Sequence, residues 1–183
     1  MTAQPTKPLL ALLIVALFSS AGWGDAVSYA QTTDPIQSVR QQYAAINKRM
    51  ARYKKVRKEL SGYSAEGGEL IAFFDGPAIV KISATYYGET GRAAEEYYYQ
   101  DGTLIFVYRK DSTYSRPLSG KVIRTRENRF YFQNGRMIKW VDENGNTMAN
   151  GEDYLKQQED NLTNSNKFLS GARAKNSTIE APE

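Results

Sequence analysis

The chain has 183 residues, 24 basic against 20 acidic side chains for a net charge of +4, and neither cysteine nor histidine. The lack of cysteine excludes disulfides, thiolate catalysis, sulfur-ligated zinc and lipid attachment through a cysteine. The lack of histidine excludes a Ser–His pair and an imidazole metal ligand, which leaves carboxylates, lysine and tyrosine as the whole catalytic stock.

Residues 1–30 have the pattern of a cleavable secretory signal. Lys7 precedes an uninterrupted apolar run over 9–18, about half the ~20 residues that a membrane span needs. Ser28 and Ala30 then place small side chains where a signal peptidase needs them for a cut before Gln31. The expectation is an exported bacterial protein, periplasmic or extracellular, with membrane contact at most peripheral after cleavage. The 153 residues that follow are enough for one core.

The next element is predicted as a long helix over 35–60. Asp34 suits the N-cap, Pro35 the first helical position, and Ser61-Gly62 the stop. Ile36, Val39, Tyr43, Ile46, Met50, Tyr53 and Leu60 fall on a heptad stripe, which slips from Arg57 to Val56. From Asp34 to Leu60 eight cations face two acids, so charge is segregated into this segment. Lys48, Arg52, Lys55 and Lys58 are the candidates for contact with an anionic surface. The plainer account is that lysine and arginine are good helix formers on a solvated face.

Short strands follow, at 69–74, 78–87, 92–99, 103–109, 121–126, 129–133 and 137–141. Asp75-Gly76-Pro77, Asp101-Gly102 and Asn134-Gly135 are hairpin turns between them. Aligned on Gly76, Gly102 and Gly135, an aromatic stands three residues before each (Phe73, Tyr99, Phe132) and an isoleucine three after (Ile79, Ile105, Ile138). The fold class expected is α+β: a long N-terminal helix packed on an antiparallel β-meander of about six strands spanning 67–142, with a short C-terminal helix. That last helix is placed at 152–169, within one domain over 31–170, and the tail 171–183 is expected to be disordered. The segment 109–120 is the longest irregular connection.

The repeated unit, aromatic-x-[DN]-G-x-[LM]-I, as in EYYYQDGTLIFVY and RFYFQNGRMIKWVD, resembles MORN-type repeats and the antitoxin-like exported bacterial proteins that share such hairpins. The resemblance covers residues 35–142, with an uneven period of 26 and then 33 residues. It implies a hairpin-repeat fold and carries no site residues across.

For chemistry, Glu95 and Glu96 are adjacent, but neighbours on a strand point to opposite faces. Either could meet Glu69 or Glu127 across the sheet to form a two-carboxylate site. Asp142-Glu143-Asn144-Gly145 echoes a calcium loop, but its glycine stands fourth rather than sixth and a hairpin turn explains it better. No metal or cofactor is expected. Tyr86, Tyr97, Tyr98, Tyr99 and Trp140 are the candidate binding residues, as an aromatic recognition surface on the sheet; cross-strand packing is the competing account.

The function expected is that of a non-enzymatic binding or envelope-associated protein. Its partner would be another protein or an anionic envelope component; nucleic acid is not expected, and monomer or homodimer stays open. The alternatives are a small carboxylate-dependent hydrolase acting on cell-wall or other polysaccharide, or an inhibitor of a secreted enzyme with 110–120 as its protruding loop.

Overall fold

Asp34 starts the first helix, as its carboxylate accepts from the Ile36 N–H at 3.0 Å and Pro35 occupies the first turn. This helix, α1 (Pro35–Lys48), ends far earlier than the heptad stripe implies, and a single 3-10 turn (Met50–Arg52) leads into strand β1 (Lys54–Ser61). The computed structural model describes residues 34–181, and the signal-like segment lies outside them. The long N-terminal helix is therefore overturned, and so is the count of six strands.

The reason lies in the charges after Lys48. In a helix, Arg49, Arg52, Lys54, Lys55 and Lys58 would stack cations three and four residues apart, which destabilises it. An extended chain relieves this by sending alternate side chains to opposite faces. Leu60 then enters the core with no exposure. The slip of the stripe from Arg57 to Val56 is the start of this two-residue alternation.

Seven strands follow one another as an antiparallel meander: β1, β2 (Gly68–Asp75), β3 (Ala78–Gly88), β4 (Gly91–Gln100), β5 (Thr103–Tyr114), β6 (Val122–Gln133) and β7 (Arg136–Val141). The segments 121–126 and 129–133 are thus one strand, and β5 extends through half of the connection expected to be irregular. After β7 comes α2 (Glu152–Arg173), at 22 residues the longer of the two α-helices among the described residues. An eighth strand, β8 (Thr178–Glu180), pairs parallel to β1 and completes the order β7-β6-β5-β4-β3-β2-β1-β8. The tail is therefore not disordered through 178–180. Ile179 is buried, and Lys58 beneath it donates to the carbonyls of Ala174 and Asn176.

The two helices cover opposite faces of this sheet. Along β4, Tyr97 and Tyr99 pack in the cluster that contains Phe168 and Ala172 of α2. Tyr98 between them packs with Val39 and Ile46 of α1. The buried face of α2 is Tyr154, Asn161, Ser165, Phe168 and Ala172, so two polar residues share a helical stripe with three apolar ones.

Three hairpins share one local design. Their two-residue turns are Gly76-Pro77, Asp101-Gly102 and Asn134-Gly135, and each is followed by a bulge whose extra residue is Val80, Ile105 or Ile138. In the second and third turns both residues have positive φ (50° and 77°, 51° and 74°), which is the type I′ geometry. The first turn starts at Gly76 rather than Asp75, so an alignment on the glycines is one residue out of phase there. Aligned on the turns, Phe73, Tyr98 and Tyr131 are equivalent and all face α1, whereas Ile79, Leu104 and Met137 all face α2. The bulges sharpen the local twist.

Candidate functional site

A groove opens where α1 leaves the sheet uncovered. Its residues are Val39, Arg40 and Tyr43 from α1, Phe106 and Tyr108 from β5, and Arg129 and Tyr131 from β6, around about 290 Å³. One turn of α1 separates Val39 from Tyr43, and the two-residue period of each strand aims Phe106 with Tyr108, and Arg129 with Tyr131, at the same face. The register β5–β6 sets Phe106 opposite Tyr131 and Tyr108 opposite Arg129, so three rings of the strands join Tyr43 in the floor and Arg129 stands at its edge.

The floor is aromatic and the rim cationic. Tyr43 packs on Phe106 edge-on at 5.5 Å between centroids, and Phe106 on Tyr131 at 5.0 Å. The Arg129 guanidinium lies 5.6 Å from the centre of the Tyr108 ring and pairs with Glu127 at 2.7 Å. Burial, with the Glu127 carboxylate beside it, raises the Tyr108 hydroxyl above its ordinary value, so it stays protonated. The same hydroxyl, followed by Arg129, lowers the Glu127 carboxyl. Tyr43 is 39% exposed and Arg40 is exposed on the rim. With Glu127 neutralising one of the two guanidiniums, the groove keeps one net positive charge.

The residues expected to form a binding surface lie elsewhere. Tyr97, Tyr98 and Tyr99 are buried, because β4 is central and has a helix on each face. Tyr86 is half-buried and donates to Glu95 at 2.9 Å. Trp140 is half-buried, with its indole N–H on Asn128 at 2.9 Å. These five are packing and network residues rather than an open face. Among the cations, Lys48 and Arg52 are exposed, and Lys55 lies over the Phe73 ring at 5.7 Å. Lys58 is only 8% exposed and ties β1 to the chain before β8, so it is unavailable to an outside anion. The shared helical basic face does not form.

Glu96 and Glu127 both act on the Tyr108 hydroxyl, but each carboxylate is tied to its own cation, Lys81 and Arg129. Glu96 faces α1, with Lys81 at 2.7 Å and the Tyr98 hydroxyl at 2.6 Å. Glu69 holds Arg57 at 3.2 Å and Tyr87 at 3.1 Å. Glu95 faces α2, where one oxygen accepts from Tyr97 at 2.7 Å and from Tyr86 at 2.9 Å and the other meets Arg109 at 3.4 Å. A second cleft, of about 340 Å³, reaches Glu95 and Arg109 past Gln157, Asp160, Asn161 and Asn164 of α2. Both Glu95 oxygens are engaged, and Asp160 is held by Lys156 at 3.1 Å. The polar groups on the two walls of this cleft are satisfied within the sheet and within the helix respectively. Among the described residues no group of three acidic side chains is placed to hold a metal ion.

Residues 115–120 at the end of the segment 110–120 are all exposed, and two backbone bonds brace that end. The N–H of Tyr114 donates to Thr90 and that of Leu118 to Glu89, at 2.8 and 2.7 Å, which fastens the hairpin end to the β3–β4 turn.

No family model, curated protein or solved structure matches this chain.

Proposed function

We propose that this chain is an exported, non-enzymatic binding protein whose ligand site is the groove between α1 and the β5–β6 pair. Export rests on residues 1–30 alone. The observation that carries the binding reading is the floor of Tyr43, Phe106, Tyr108 and Tyr131, left open beside two guanidiniums. Aromatic rings present large apolar area with little side-chain entropy to lose. A guanidinium at the edge adds bidentate affinity for a carboxylate, sulfonate or phosphate. The ligand class is therefore a flat apolar body bearing one anionic group.

Anilinonaphthalene sulfonate has that chemistry and serves as the probe. Its fluorescence rises on binding to the wild-type chain. Arg129→Gln, which loses one charge-assisted contact, and Tyr108→Ala, which loses one ring of the floor, each weaken binding by about tenfold. A Trp140→Phe chain, altered on the opposite face, binds as the wild type does. Equal affinity across all four proteins would sink the reading.

A further inference from the structure

The end of the β5–β6 hairpin exposes apolar side chains for which the fold has no use. Leu118 is 71% exposed, Ile123 63% and Val122 40%. Leu118 is also held at φ 54°, a left-handed conformation that is unfavourable for a side chain of this size and free for glycine. Its N–H bond to Glu89 fixes it there. The fold gives this solvent-facing leucine no packing partner in return for that conformation.

Charge indicates what meets it. Residues 115–124 carry Arg116, Lys121 and Arg124 and no acid. The neighbouring acids are Glu89 on the adjoining turn and Glu143, which pairs with Arg124 at 3.6 Å and Arg126 at 3.4 Å. Asp111 stands opposite Arg126 in the β5–β6 ladder, so with that pair set aside the three cations of 115–124 against Glu89 and Glu143 leave the tip positive by one.

We propose that this tip docks on an anionic lipid bilayer. Leu118, Val122 and Ile123 enter the boundary between headgroups and acyl chains, and Arg116 and Lys121 meet the headgroups. Apolar side chains interleaved with cations at a hairpin end suit a fluid, negatively charged interface. Among the described residues no helix is long and apolar enough to cross a membrane. The proposal is independent of the groove, which lies further along the same two strands.

The cysteine-free sequence makes the test local. In the full chain, Leu118→Cys and, separately, Gln133→Cys at the opposite end of β6 are labelled with an environment-sensitive dye. Local labels are needed because residues 9–18 carry an apolar run of their own. With phosphatidylcholine vesicles containing roughly a third phosphatidylglycerol, emission from position 118 shifts to the blue and that from position 133 does not. With pure phosphatidylcholine neither shifts. Adding Arg116→Gln and Lys121→Gln to the first variant raises the anionic lipid needed by several-fold. A label at 118 that stays aqueous on anionic vesicles overturns the proposal and leaves the tip to a protein partner. An equal shift on neutral vesicles, or at position 133, overturns it as well.

Discussion

The Lys81 ammonium and the Glu96 carboxylate meet at 2.7 Å beneath α1, with the ammonium 4.8 Å from the centre of the Tyr98 ring. Tyr98 donates to the second Glu96 oxygen and accepts from the Asn47 amide at 3.1 Å. Four polar groups from α1, β3 and β4 thus satisfy one another in a place where Lys81 is only 5% exposed. The network holds the C-terminal end of α1 on β3 and β4, and through the Tyr98 ring, 4.9 Å from that of Tyr43, it borders the groove.

Removing one member should be far worse than removing the pair. Glu96→Leu leaves a buried ammonium without its counter-charge, a loss of about 3 kcal/mol. Lys81→Met combined with Glu96→Leu replaces both charges with apolar volume and recovers most of that loss. Urea denaturation of the two single variants and the double variant gives the coupling directly. If the double variant is as unstable as the sum of the singles, the pair is not the unit described here.

The chain terminus offers a second test, because a strand there was invisible to composition. Ile179 is 5% exposed, and the N–H groups of Glu59 and Ala181 bond to Ser177 and Ser61 at 2.8 Å. Ile179→Ala should cost about 2–4 kcal/mol, the usual range for a buried isoleucine. Deleting residues 177–183 should abolish hydrogen-exchange protection at the Glu59 amide. Unchanged stability and protection would mean that β8 does not form in solution.

What could be read from the residues, and what could not, follows from the range of the interactions. Asp34-Pro35 and the Asp-Gly and Asn-Gly turns announce themselves because a cap or a type I′ turn is decided within four residues. Residues 53–60 satisfy a heptad and a two-residue alternation almost equally well. Only pairing with β2, from Lys54 opposite Phe74 to Leu60 opposite Gly68, decides between them. The tyrosine run at 97–99 has the same ambiguity, since one side of a strand becomes a surface or a core according to whether a second helix covers it. The groove depends on contacts still more distant in sequence. Tyr43 lay in the predicted helical stripe as a core residue, and nothing local brings it to Phe106 and Tyr131. The alternation Phe106-x-Tyr108 and Arg129-x-Tyr131 was the available signal.

Alkaline pH tests the buried tyrosines. Burial raises the hydroxyls of Tyr86, Tyr97, Tyr98 and Tyr99 well above the ordinary phenol value of 10.0, and Glu95 or Glu96 adds to this at the first three. In the unfolded chain these groups ionise near pH 10, whereas in the folded chain they keep their protons. Above pH 10 the unfolded state therefore binds fewer protons than the native one, and stability falls as pH rises. Below about pH 9 the contribution is present in full. The urea midpoint should be level from about pH 7 to 9 and decline above 10, each such tyrosine adding roughly 1.4 kcal/mol per pH unit once the unfolded phenol is ionised. Tyr98→Phe removes one of these protons. Whatever it does to stability at neutral pH, its decline above pH 10 should be shallower by that single increment. A slope identical to that of the wild type would show that Tyr98 ionises as easily in the folded chain as in the unfolded one, and that its place between Glu96 and α1 is wrongly drawn.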